Sequence, residues 1–152
     1  MSKFQDYPII KNRKINVALI GCGRISFKHV ISIIHHSKDL NLVALCDTNI
    51  QNIEEIKNLI TKGLKNKKYS DNFKIYKLYD DLITDKNKGI IQLDLVILAT
   101  PSGLHSSQAI KAARNGIHIC TEKPMATNWE EGQSMVNILS LIHISEPTRQ
   151  KP

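Results

Sequence analysis

Two patterns of apolar and polar positions alternate along the chain. Near-continuous apolar runs occupy residues 15–20, 42–46, 95–99 and 117–120. Runs this short and this apolar suit strands buried on both faces of a parallel sheet. Between them the apolar residues fall at helical spacing: Ile25, Val30, Ile33 and Ile34 in residues 24–37, then Ile53, Ile56, Leu59 and Ile60 in residues 50–64. Residues 74–79 read as a short third strand, followed by a short helix over 80–85. A helix opens at Ser102 or Gly103 and runs through Asn115, where Gly116 provides the left-handed stop. Thr127 as N-cap with Glu130 three residues on forms a capping box for a last helix. Five strands alternating with helices predict an α/β fold, a doubly wound parallel sheet. Residues 1–13 lack periodicity and are expected to form an extension that packs loosely or not at all.

Composition narrows the function classes. The chain has 152 residues, enough for one domain with its own core, and is 41% hydrophobic and 23% charged. Its 21 basic and 14 acidic side chains give a net charge of +7. The lysines are scattered and aromatics are only 5% of the chain, so stacking partners for bases are few. A solvated basic surface is expected, with no nucleic acid as partner. No stretch approaches a membrane span and no apolar signal segment opens the chain, so no membrane partner and a cytoplasmic location are expected. Cys22, Cys46 and Cys120 form no paired motif and read as reduced, mostly buried thiols. No zinc-ligand spacing occurs, so no metal is expected.

The chemistry gathers at the ends of the predicted strands. Gly21-Cys22-Gly23-Arg24-Ile25-Ser26 lies between the first strand and its helix, where a dinucleotide-binding turn belongs. Gly21 permits the tight turn, and Gly23 lets the backbone approach a pyrophosphate. Cys22, Arg24 and Ile25 are counted with the two glycines as cofactor contacts, because the helix that follows aims unpaired N–H groups at phosphate. Ser26 replaces the third glycine with another small residue. Asp47 ends the second strand, where a carboxylate accepts hydrogen bonds from adenosine ribose hydroxyls and repels a 2′-phosphate. Thr48 and Asn49 supply no cation to neutralise such a phosphate, so NAD is favoured over NADP. A turn cap is the alternative role for Asp47.

Two further segments follow the fourth and fifth strands: Ala99-Thr100-Pro101-Ser102-Gly103-Leu104-His105 and Cys120-Thr121-Glu122-Lys123-Pro124. Carboxyl ends of parallel strands border the crevice that binds ligands in such sheets. With the glycine turn, His29, the Cys46-Asp47 pair and Met125-Ala126, these segments resemble the Gfo/Idh/MocA oxidoreductases almost continuously over residues 16–137. The resemblance implies an NAD-binding domain at residues 14–138 and a sugar as small-molecule substrate. It also implies cofactor contacts from Thr100, Pro101, Ser102, Glu122 and Lys123. Lys123 would be catalytic, hydrogen-bonding the reacting hydroxyl, and a surface lysine before a proline turn is its plainer alternative. Glu122 would position either the nicotinamide ribose or the lysine. His105 either lines the nicotinamide pocket or is bonded to a backbone carbonyl. His29 and His118 read as packing or surface residues. The run from Lys123 to Trp129, with Gly132 and Met135-Val136, is similar to the subgroup that oxidises UDP-N-acetylglucosaminuronate at C3.

Residues 139–149 resemble the direct translation of a sequencing-library transposase adapter, so residues 139–152 are expected to lie outside the fold. A frayed natural terminus is the alternative. On that reading a substrate domain follows elsewhere in the full-length protein, an expected homo-oligomer, and this chain alone is inactive. Two rivals stand beside a dehydrogenase. One is a dinucleotide-sensing regulator on the same scaffold, against which Lys123 argues. The other is a methyltransferase-like domain, which leaves Glu122-Lys123-Pro124 without a purpose.

Overall fold

The computed structural model describes residues 10–63 and 72–142. In chain order the elements are β1 (Ile15–Ile20), α1 (Ser26–His35), β2 (Leu40–Cys46), α2 (Ile50–Gly63), β3 (Lys74–Tyr76), α3 (Tyr79–Asn87), β4 (Leu95–Leu98), α4 (His105–Arg114), β5 (His118–Thr121) and α5 (Trp129–Ile142). A short 3-10 turn, Ser102–Leu104, precedes α4. The strands form one sheet in the order β3-β2-β1-β4-β5, and every pair is parallel. The order reverses direction at β1, so the ends of β1, β2 and β4 open onto one crevice.

Both sheet faces are covered, which is why the strands read as unbroken apolar runs. Ala18, Ile20, Val96 and Leu98 pack with Leu82, Ala109, Ala112 and Met135 on one face. Val17, Leu19, Leu45 and Ile97 pack with Val30, Ile33, Ile53 and Ile56 on the other. The register of β1 against β2 shifts between Val17 and Ala18, whose partners are Leu42 and Ala44. The extra residue, Val43, changes the parity of β2, so Leu42 and Ala44 serve opposite faces.

Several boundaries differ from the sequence reading. The third strand stops at Tyr76 and Tyr79 already opens α3. At α5 the cap is one residue later than expected. Asn128 accepts the Glu131 N–H at 2.9 Å, and Glu131 reaches back to the Thr127 N–H and hydroxyl. Trp129 therefore starts the helix, which continues through Leu139 to Ile142. Leu64, residues 1–9 and the rest of the closing stretch, 143–152, lie outside the described residues. Cys22 and Cys46 are buried free thiols, as expected, but Cys120 is exposed because β5 is an edge strand. Burial, with the Asp47 charge nearby, pushes the Cys22 and Cys46 thiols up to about 12, which keeps them unreactive.

Arg13, assigned to a loose extension, is tied into the domain. Its guanidinium grips Asp94 through two bonds of 2.7 and 2.9 Å, and Asp94 also accepts the Asn16 N–H at 2.8 Å. Burial pushes the Asp94 carboxyl up, but the Arg13 and Asn16 donors outweigh it and hold the group below its ordinary value. A carboxyl depressed on folding contributes stability that is full above the ordinary aspartate range and is lost as pH falls through the depressed value. Asp94→Ala strands the Asn16 N–H, and is expected to lower the unfolding free energy by about 2 kcal/mol at neutral pH. The deficit against wild type should shrink in acid. Urea unfolding at pH 7 and pH 3 checks both the size and the sign.

Candidate functional site

A cleft of about 530 Å³ opens at the carboxyl ends of the central strands. Gly21 and Gly23 after β1, Asp47, Thr48 and Asn49 after β2, and Thr100 and Pro101 after β4 line it together. The strand reversal at β1 puts these separate sequence segments on one rim.

Gly21 has φ +87°, and a Cβ there would lie 2.6 Å from the Ala99 carbonyl oxygen. The turn after β1 thus fits directly against the end of β4. A Cβ at Gly23 would meet no described protein atom within 4 Å, and Gly23 borders the cleft. Ser26 is fully buried and its hydroxyl donates to the Gly23 carbonyl, so the small residue in place of a third glycine also fastens the turn. Arg24 and Ile25 stand exposed at the entrance to α1. At this entrance the Ser26 and Lys28 N–H groups already donate to the Gly23 and Ile25 carbonyls at 3.1 and 3.2 Å, so the amides that suit an anion are those of residues 23–25.

The Asp47 carboxylate accepts the Cys22 N–H at 2.8 Å, the Asn49 N–H at 2.7 Å and the Asn52 side chain at 3.2 Å. The carboxylate caps the turn after β2, and Asp47 also lines the cleft. Cys22 faces inward, with its sulfur buried and its N–H given to Asp47. The two carboxylate oxygens have about four acceptor positions between them, and three are used. The donor set fits a dinucleotide: open backbone at Gly23, a helix entrance for phosphate and a carboxylate for ribose hydroxyls.

Sequence reasoning missed four cleft residues. Asn52 comes from α2, Lys77 and Tyr79 follow β3, and Gln108 projects from α4. Lys77 and Tyr79 were hidden because residues 74–79 read as one strand. Lys77 is a cation on the same cleft as Asp47, where Thr48 and Asn49 supply none. Thr100 bonds to Gln108 at 2.6 Å, and the Tyr79 hydroxyl donates to the Gln108 carbonyl at 3.1 Å, which fixes this wall.

At the other end of the rim, Glu122 follows β5 and its carboxylate lies 2.6 Å from His29 Nε2 on α1. His29 is therefore bonded to the site rather than simply packed. Its hydrogen bond, with support from the Lys123 N–H, holds the Glu122 carboxyl below its ordinary range. Lys123 itself is exposed, at the turn that leaves β5. Ser102 is half-buried in the 3-10 turn.

His105 does not line the cleft. It is 1% exposed, with Nδ1 2.8 Å from the Pro124 carbonyl and Nε2 2.7 Å from the Thr100 carbonyl. Carbonyl oxygens only accept, so a neutral ring satisfies one contact and a protonated ring both. The geometry is that of the alternative reading, a histidine bonded to backbone. Its place links the loop after β4 to the loop carrying Lys123. His105→Leu should cost roughly 1–3 kcal/mol, because a buried carbonyl loses its donor. A thermal melt within error of wild type would refute that bracing role.

Among the described residues no cluster of His, Cys, Asp or Glu is arranged for a metal ion, and no helix is long and apolar enough to cross a membrane.

Residues 15–140 match the model of the oxidoreductase family with an NAD-binding Rossmann fold. Among solved structures, the chain is 36% identical to the WlbA dehydrogenase from Bordetella pertussis, crystallised with NADH and UDP-GlcNAcA. That match has a TM-score of 0.72 and covers 88% of this chain and 34% of that one. Over 121 residues it is 28% identical to scyllo-inositol 2-dehydrogenase (NAD(+)) from Bacillus subtilis strain 168, covering 80% of this chain and 31% of that protein. Over 125 residues it is 30% identical to a glycosyl hydrolase family 109 protein from Shewanella baltica strain OS155, covering 81% of this chain and 25% of that protein. The chain spans about a quarter to a third of the length of these relatives.

Proposed function

The chain belongs to the Gfo/Idh/MocA oxidoreductase family, as its NAD-binding Rossmann domain, and from that membership we propose that it serves a nucleotide-sugar dehydrogenase. The observation that carries the reading is the single rim joining Gly21, Gly23 and Asp47 to Thr100 and Pro101. The 36% identity to a dehydrogenase crystallised with NADH and UDP-GlcNAcA supports the choice of substrate class. UDP-N-acetylglucosaminuronate, oxidised at C3, is the substrate proposed. Residues 14–138 form the cofactor domain on this reading, and the substrate domain belongs to the longer protein.

NAD supplies the acceptor for a hydride. Asp47 binds the adenosine ribose hydroxyls, and its negative charge excludes a 2′-phosphate. The amides at Gly23, Arg24 and Ile25 hold the pyrophosphate at the entrance to α1. Thr100 and Pro101 on the cleft, with Ser102 beside them, would hold the nicotinamide half of the cofactor. Lys123 would donate a hydrogen bond to the sugar oxygen and stabilise the negative charge left there as the hydroxyl proton passes to a base, charge that the new C=O bond takes up when hydride is lost from carbon. Glu122, braced by His29, orients the Lys123 backbone through its N–H. The final proton acceptor is a residue of the substrate domain.

Absorbance of NADH at steady state, with the full-length protein, NAD and UDP-N-acetylglucosaminuronate, tests the proposal. Accumulating NADH that depends on the sugar is expected. Binding of NAD with no turnover of any UDP-sugar would favour the sensing regulator instead. Net hydrolysis without NADH would align the protein with its family 109 relatives.

A further inference from the structure

The crevice pairs Asp47 with a second charged residue that no motif singled out. Strands β2 and β3 are parallel, with Cys46 opposite Tyr76. The Asp47 N–H donates to the Tyr76 carbonyl at 3.1 Å, which closes the last pair of the ladder. Asp47 and Lys77 are the first residues beyond the two strand ends. Both line the same cleft, with Thr48, Asn49 and Asn52. Asp47 gives its oxygens to Cys22, Asn49 and Asn52 rather than to the lysine. Lys77 is exposed and, among the described residues, takes part in no ion pair. Of the carboxylates on the first turn of α3, Asp80 is engaged by Lys111, which leaves Asp81.

We propose that Lys77 is a specificity-determining residue, a cation placed for the 2′-phosphate of NADP and overridden by Asp47. The preference for NAD then rests on one carboxylate. Removing its charge leaves an ammonium beside the 2′ position, in place of a carboxylate that repels phosphate. This inference deepens the proposed function and rests on the cleft being the adenosine end of the dinucleotide site.

The test is amide chemical-shift titration of the full chain with NAD and with NADP, a method that reads millimolar affinities and reports folding in the same spectra. Wild type, Asp47→Asn, Asp47→Ser, Lys77→Ala and the double variants are compared. Asp47→Asn is nearly isosteric and keeps an acceptor for the turn, so it covers a failure of the serine variant to fold. Loss of the carboxylate should swing the NADP-to-NAD affinity ratio by about 100-fold toward NADP. Adding Lys77→Ala should cancel at least about tenfold of that swing. Lys77→Ala alone should leave NAD affinity within about threefold of wild type. An equal swing with and without Lys77 would overturn the proposal. A wild-type chain that takes up neither dinucleotide would overturn the cofactor reading beneath it, a visibly different result.

Discussion

Gly21→Ala is expected to destabilise the domain by at least about 3 kcal/mol, a large share of the roughly 5–15 kcal/mol that holds a domain together. Two costs combine. An alanine held at φ +87° enters the left-handed region, which disfavours L-residues by about 1–2 kcal/mol. Its Cβ would also sit 2.6 Å from the Ala99 oxygen, 2.7 Å from the Ala99 carbonyl carbon and 2.8 Å from the Thr100 nitrogen. All three atoms are backbone, so no flexible side chain can yield. Relief requires β1 and β4 to separate, which strains the 2.7 Å bond from the Ala99 N–H to the Ile20 carbonyl. Gly23→Ala is the control. Its Cβ meets no described protein atom within 4 Å, so stability should change by less than about 1 kcal/mol. Dinucleotide affinity should nevertheless fall by about tenfold or more, because the new methyl group intrudes where the pyrophosphate runs. Urea unfolding and dinucleotide titration of both variants separate the two glycines. A Gly21→Ala chain as stable as wild type would contradict the close approach of β1 to β4.

The second large effect is catalytic. In the full-length protein, Lys123→Met should lower kcat by about 10²–10⁴-fold and leave NAD affinity within a factor of a few. Lys123 is exposed at the turn after β5, so its removal vacates no core and strands no buried partner. Retention of fold is therefore expected alongside loss of turnover. Lys123→Arg should recover only a small part of the rate, since the guanidinium differs in shape and donor geometry at the reacting oxygen. Stopped-flow formation of NADH with sugar substrate measures the effect. A kcat reduced less than tenfold would remove Lys123 from the chemistry and return it to the surface.

The fold was readable because burial on both sheet faces writes itself directly into sequence. The runs ending at Ile20, Cys46 and Leu98 are apolar without alternation, and each leads into a turn that bears a chemical group. Gly21 and Asp47 were legible for the same reason: each directly follows its strand. What stayed hidden depends on contacts across the chain. His29 reaches Glu122 across 93 residues of sequence, and Arg13 reaches Asp94 across 81. No periodicity encodes those pairings. The edge strand β3 has only three residues, too few for a pattern to mark its end, so Lys77 and Tyr79 were read into the strand rather than at the cleft. The sequence left His105 open between the pocket and a backbone bond, because it follows the turn after β4. The 3-10 turn at Ser102–Leu104 delays the start of α4 and turns the ring inward.

The most direct measurement is an amide-resolved NMR titration of this chain with NAD at up to millimolar concentration. A dinucleotide in the described cleft predicts saturable shifts confined to Gly21–Ile25, Asp47–Asn49 and the Thr100–Leu104 turn, weak in affinity but continuous along the rim. Spectra unchanged at millimolar NAD, or shifts centred away from those three segments, would contradict dinucleotide binding at this site.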